Sequence, residues 1–232
     1  MQSCYMCKRK ATSKQHVPPS CFFPKRKDLG NGRDYRLNLT TVPSCKRHNL
    51  SRSKDDEYLR LVVVSYCGNN DLAQEHWSSN LFRGVERKPP LGRLLTDNHL
   101  PARVGSSDTG ACPVDMKRFN GSMEAIVKGL YFHEYGERWT HGVLIVSPSL
   151  LSIDRPNAIE ANVAIQRHEA QMAQAFGAVT RLGDNPEVFY YQIGRTHDPE
   201  RLFARLVFYE GFLVNAFSSP SEDLLAGSGG LH

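Results

Sequence analysis

The chain has 232 residues, with 29 Lys+Arg against 24 Asp+Glu, a formal charge of +5 and 40% hydrophobic side chains. It is too long for a bare zinc finger and apolar enough to bury a core, which excludes global disorder. Its most apolar stretches, Leu61–Val64 and Gly142–Val146, fall far short of the roughly 20 residues that span a bilayer.

The opening MQSCYMCKRK has no apolar signal region. Six cysteines are too dilute here for a disulfide scaffold, so the expected setting is a reducing cytoplasm. Charge is unevenly placed. Residues 1–60 hold 14 Lys/Arg and 5 Asp/Glu, a charge of +9, whereas the remaining 172 residues hold 15 and 19, a charge of −4. A compact cationic block is the electrostatic footprint of a polyanion binder, most often of nucleic acid.

In chain order, the basic head is punctuated by Pro18-Pro19, Gly30-Asn31-Gly32 and Pro43, with strand-like pieces at Gln15–Val17 and Tyr35–Val42. From Ser44 the pattern turns helical, at least in its second half, where Ser53 and Asp56 resemble a capping box. Residues 67–118 read as a linker rich in Gly, Pro, Asn and Ser around short helical pieces such as Asp71–Phe82. Met123, Ile126, Val127, Leu130 and Tyr131 then fall at helical spacing, with Ser122 as the expected cap. A buried strand follows in Gly142–Val146, then a helix over Asn157–Phe176 ended by Gly177. Strands are expected at Val188–Ile193, Leu202–Tyr209 and Phe212–Phe217, the last two joined as a hairpin at Glu210-Gly211. The fold class is therefore α+β. It divides into a head at 1–66, the linker at 67–118, a mixed accessory or partner-binding domain with antiparallel strands at 119–220, and a flexible tail at 221–232.

Cys4-x-x-Cys7 and Cys45-x-x-His48 carry the chemistry. Two short-spaced thiolate and imidazole pairs supply the four ligands of a tetrahedral structural zinc. Their i, i+3 spacing at the start of a helix turns Cys45 and His48 the same way. Cys4-x-x-Cys7 alone also suits a redox motif, but no thioredoxin-like βαβ pattern surrounds it. Cys21 has no partner at metal spacing and reads as a core thiol.

Taken whole, the head reads C-x-x-C, then QHVPP, then N-L-x(5)-C-x-x-H-N and Ser53-Lys54. In this order it resembles the HNH endonucleases, the ββα-metal nucleases, in variants with an added structural zinc. The resemblance rests on Cys4, Cys7, His16, Pro19, Asn38, Leu39, Cys45, His48, Asn49 and Lys54, about the first quarter of the chain. It implies that His16 is the general base activating water against a DNA phosphodiester, a task that suits an imidazole with an ordinary pKa of about 6.5. It implies that Asn38 ties the connecting loop and helps orient the base, and that Asn49 holds a catalytic Mg²⁺ or Mn²⁺ through its amide oxygen, an H-N-N version of the motif. Arg47, Arg52 and Lys54 would lie near the nucleic-acid backbone.

The residue before the base is commonly acidic in that family, and here it is Gln15. Either Gln15 binds the ion through its carbonyl oxygen, or Asp55 or Asp56 supplies a carboxylate beside Asn49, or the site is weak or dead. Lys8, Arg9, Lys10 and Lys14 suit phosphate contact. The expectation is a metal-dependent endonuclease acting on double-stranded DNA. By family analogy alone it is a bacterial or phage defence-type effector, with a regulatory partner or a second copy bound through the C-terminal part. The alternative is a zinc-stabilised nucleic-acid-binding module without catalysis. An RNA substrate has no aromatic platform to support it.

Overall fold

A computed structural model describes residues 2–30, 32–50, 53–81, 93, 100–104, 107–152, 156–197 and 200–218. Arg52 and the tail at 221–232 lie outside them. The fold is α+β with antiparallel sheets, and no helix among the described residues is long and apolar enough to cross a membrane.

Strand β1 (Ser13–His16) pairs antiparallel with β2 (Thr41–Ser44), in a register running from Ser13↔Ser44 to His16↔Thr41. Of the strand expected over Tyr35–Val42, only the end is extended. Residues 35–38 form a turn in which Asp34 Oδ1 accepts from the Arg36 N–H at 2.9 Å and Asn38 takes a left-handed φ of 56°. Short Asx side chains bonding to nearby backbone favour such turns over a ladder. Helix α1 (Lys46–Leu50) begins directly after Cys45, where the Cys45-x-x-His48 spacing places a helix start, and α2 (Ser53–Val64) follows.

Helix α3 (Asp71–His76) is capped by Asn70, whose Oδ1 accepts from Ala73 N–H, and it runs on as a π turn through Trp77–Leu81. The stretch expected as irregular also holds a hairpin, β3 (Leu100–Val104) with β4 (Ser107–Ala111). Helix α4 (Met116–Tyr135) starts six residues before the expected cap. Asp115 caps it by accepting from Arg118 N–H at 3.1 Å, while Ser122 is buried within the helix. The Gly121-Ser122 pair looks like a break, yet apolar contacts on both sides carry the helix through it.

The main sheet has the order β5-β9-β8-β7-β6 and is antiparallel throughout. Its strands are β5 (Val143–Val146), β6 (Leu182–Asn185), β7 (Phe189–His197), β8 (Glu200–Phe208) and β9 (Phe212–Ser218), with helix α5 (Ala158–Phe176) between β5 and β6. The expected hairpin of β8 and β9 forms, as do β7 and α5. β5 is not the buried strand expected, because it lies at the sheet edge with Leu144 half exposed. β6, of sequence LGDN, has no apolar alternation from which to read a strand.

One sheet face, with Tyr191, Leu202, Leu206, Phe208, Phe212 and Val214, packs toward α4 and the head. The other, with Phe203, Arg205, Asn215 and Phe217, lies under α5. A single buried cluster runs from Cys4, Phe22 and Val42 through Leu59 and Leu61 of α2 and Met123 and Leu130 of α4 to Leu206 and Val214. Residues 1–66 and 119–220 thus share one core. Arg118 of α4 reinforces the join by donating to Asp55 Oδ1 at 2.8 Å and to the Lys54 carbonyl, with its guanidinium 4.2 Å from the Tyr58 ring centre.

The turn between β8 and β9 is held from the head. Tyr209 and Glu210 both have positive φ (49° and 58°), as a type I′ turn requires but side chains disfavour. Tyr209 is kept there because its hydroxyl donates to the Phe22 carbonyl and accepts from His76 Nδ1 at 2.7 Å. Gly211 lets the turn approach the loop that follows α2. A Cβ there would sit 2.5 Å from the carbonyl carbon of Gly68 and 2.7 Å from Asn69 Cα. Gly211→Ala is expected to destabilise the chain by about 1–3 kcal/mol through overpacking against backbone; a denaturant midpoint equal to wild type would show that the approach gives way freely.

Burial, with Arg60 and Arg36 adding to it, pushes the His76 pKa down to about 3. The unfolded chain therefore binds a proton at this site that the folded chain excludes. Stability from this group is complete above about pH 6.5 and drains away as pH falls toward 3, at about 1.4 kcal/mol per unit. Urea melts between pH 7 and pH 4 (about the range over which His76 differs between the two states) should show a smaller slope for His76→Phe than for wild type. Equal slopes would remove His76 from the account.

Candidate metal centre and adjoining cleft

A tight hairpin, closed by the Ser3↔Lys10 bridge, presents Cys4 and Cys7. The start of α1 presents Cys45 and His48, one helical turn apart. The four ligand atoms lie within 4.8 Å of one another and form the only such group of His, Cys, Asp or Glu among the described residues. Cys4 Sγ and Cys45 Sγ stand 3.4 Å and 3.5 Å from His48 Nδ1, and Cys7 Sγ stands 3.9 Å from Cys45 Sγ. A tetrahedron with Zn–S of about 2.3 Å and Zn–N of about 2.0–2.1 Å has S···N edges of about 3.6 Å and S···S edges of about 3.8 Å. The edges therefore suit a structural metal such as zinc, with Cys4, Cys7, Cys45 and His48 as its ligands.

Local structure favours the thiolate form at Cys45, whereas burial pushes the Cys7 thiol up. The Met6 N–H donates to Cys4 Sγ at 3.5 Å. The His48 backbone N–H, with that of Arg47, draws the Cys45 thiol below its ordinary pKa. Cys21 stands apart from the ligands: its Sγ donates to the Asp56 carbonyl at 3.7 Å, and burial pushes its pKa up to about 12, as suits a core thiol.

Alternation along β1 sends Ser13 and Gln15 toward the metal side and His16 toward solvent. Ser13 Oγ accepts from Asn49 Nδ2 at 2.9 Å. Gln15 Oε1 accepts from the Tyr5 hydroxyl at 3.4 Å and from Ser44 Oγ at 3.3 Å, which engages the oxygen that the sequence offers to an ion. His16 opens onto a cleft lined by Gln15, Pro19, Asp56 of α2 and Ser122, Ala125 and Ile126 of α4. Partial burial first, and the positive charge of Arg36 second, hold its pKa below the ordinary histidine value. The cleft residues therefore come from β1 and the segment after it, α2 and α4.

Asn49 is not among the residues lining that cleft, and neither is Asn38. Asn38 lines a separate hollow beside Val17, Pro18, Thr40 and Asp184. Of the two candidate carboxylates, Asp55 is tied to Arg118 at 2.8 Å while Asp56 faces the cleft. Lys8, Arg9, Lys10, Lys14, Arg47 and Lys54 are exposed. Sequence reasoning missed the α4 wall of Ser122, Ala125 and Ile126, because nothing local links residues more than a hundred positions from His16. No family model, curated protein or solved structure matches the chain.

Proposed function

We propose that the chain is a metal-dependent endonuclease of the HNH type that hydrolyses DNA, with a ββα module stapled by zinc. The observation that carries the reading is His16. It is an exposed imidazole at the end of β1, biased toward its neutral form, lining a cleft that Asp56 also lines, in a head that holds the Cys₃His cluster. A neutral imidazole of lowered pKa accepts a proton from water at neutral pH. The exposed Lys8, Arg9, Lys10 and Lys14 supply a backbone-binding surface whose affinity falls steeply with salt.

The residues fit a catalytic dication through Asp56, since Mg²⁺ keeps several waters and is often held by one or two carboxylates together with substrate phosphate. Such an ion, when bound, polarises the phosphate and stabilises the leaving 3′-oxygen. His16 then takes the proton of the attacking water, Asp56 offers a hard oxygen ligand, and the α4 wall restricts how nucleic acid approaches the cleft. Asn49 stays a candidate ligand through Oδ1, its amide nitrogen being engaged with Ser13.

The engagement of Gln15 favours a second reading, a zinc-stabilised DNA-binding module without catalysis, because the position before His16 then brings no ligand to an ion. Supercoiled plasmid incubated with the zinc-loaded chain separates the two. Nicking that requires added Mg²⁺ or Mn²⁺ supports the nuclease. DNA retention without nicking under any divalent ion supports the binding module.

A further inference from the structure

Helix α5 has two chemically different sides. Toward the sheet, His168 meets the Phe217 ring at 5.6 Å, Phe176 meets Phe203 at 5.8 Å, and Glu169 reaches Arg205 at 2.6 Å and Asn215 at 2.7 Å. Away from it, Ile159, Glu160, Val163, Ala164 and Arg167 follow each other at helical spacing, and all are exposed. Ile159 is 78% exposed and Val163 45%. Two more exposed apolar side chains belong to segments tied to α5 or to the sheet edge beneath it. Leu151 precedes Ser152, whose backbone N–H and carbonyl are both bonded to the Asn162 side chain. Leu144 on edge strand β5 is the cross-strand partner of the same Phe217 that His168 touches. Ile159 and Val163, two of the seven large hydrophobic side chains exposed among the described residues, therefore stand on the outward side of α5, and apolar surface left open on a helix face is what an interaction site uses.

We propose that this stripe joins two copies of the chain, α5 packing antiparallel on α5 of a second copy about a twofold axis that passes between Val163 and Ala164. Charge decides the occupant. Glu160 and Arg167 are the only ionisable side chains along Ile159–Arg167 on the exposed side, they have opposite sign, and they are equidistant from that axis. Antiparallel apposition sets Glu160 of each copy against Arg167 of the other, twice, as an isologous interface requires. Parallel apposition would set like charge on like, and a uniformly acidic or basic partner would meet one charge of the wrong sign. Val163 and Ala164 at the centre are small enough for the helix axes to approach closely, and the exposed Ile159 lies one helical turn from Val163. The inference is independent of the nuclease reading.

Sedimentation equilibrium of the full zinc-loaded chain over a concentration series tests it, with circular dichroism confirming that each variant is folded. Wild type should approach twice the chain mass. Glu160→Arg should return to the chain mass at concentrations where wild type is paired, and the exchange Glu160→Arg with Arg167→Glu should restore the pair. A wild-type chain that stays single throughout, a Glu160→Arg chain that pairs as tightly as wild type, or an exchange variant that fails to recover would each overturn the proposal.

Discussion

Cys45→Ser is expected to cost the chain its metal and a large part of its stability. A serine hydroxyl is a poor zinc ligand, and structural zinc in small domains contributes an apparent 10–16 kcal/mol of binding coupled to folding, against a net domain stability of about 5–15 kcal/mol. Cys4 and Cys45 are buried in the cluster that also holds Val42, Leu59 and Met123, so the loss reaches beyond the hairpin. A metal held by the four ligands would clamp the Cys4–Cys7 turn to the start of α1, and without it β1 and β2 retain only a four-residue ladder, too little to stand alone in water. Elemental analysis should find about one zinc per wild-type chain, the number one tetrahedral site holds. The Cys45→Ser chain should contain none and melt well below wild type. Lowering the pH in the presence of a chelator should strip the metal more readily, because protons compete for the thiolates and the imidazole. Retention of one zinc and an unchanged melting curve in both Cys4→Ser and Cys45→Ser would show that the four-ligand assignment is wrong.

The second large effect concerns His16. If it is the base, His16→Ala should reduce divalent-dependent DNA cleavage by about 10²–10⁴-fold, the range for loss of a positioned proton acceptor. DNA binding, zinc content and melting should stay at wild-type values, since the side chain is exposed and outside the buried cluster. The pH dependence follows from the direction of its pKa shift. Burial and Arg36 disfavour the imidazolium, so the rising limb of the pH–rate profile should fall below the ordinary histidine value near 6.5. Arg36→Gln removes a positive neighbour and should move that limb to higher pH. Cleavage by His16→Ala at the wild-type rate would remove His16 from the mechanism. A limb that does not move in Arg36→Gln would instead show that another group titrates.

Much of the metal centre was legible without coordinates. Cys-x-x-Cys and Cys-x-x-His are local patterns, and a metal's preference for four soft ligands links them across any loop. The helices and the β7–β9 meander were legible for a similar reason, since periodicity and turn residues act over a few positions. Legibility failed where local signals compete. Tyr35–Asn38 has strand-forming residues, yet Asp34 and Asn38 bend it into a turn. Gly121-Ser122 resembles a helix start, yet packing of Phe119 and Met123 on the same core keeps the helix continuous. Val143–Val146 has the composition of a buried strand, but its place in the strand order leaves it at an edge.

The charge split at residue 60, the pairing of Cys4-x-x-Cys7 with Cys45-x-x-His48 as a group able to hold a metal, and the α+β class are properties of residue order, and the sequence alone determined them. Whether the basic head is a unit of its own was not. Composition separates it from the acidic body, but buried apolar side chains from both parts belong to one cluster. That shared core brings α4 to the cleft that His16 lines, with Ser122, Ala125 and Ile126 beside Asp56, while Asp55 pairs with Arg118. Contacts between residues so far apart in the chain leave no local pattern, so only the tertiary structure decided them.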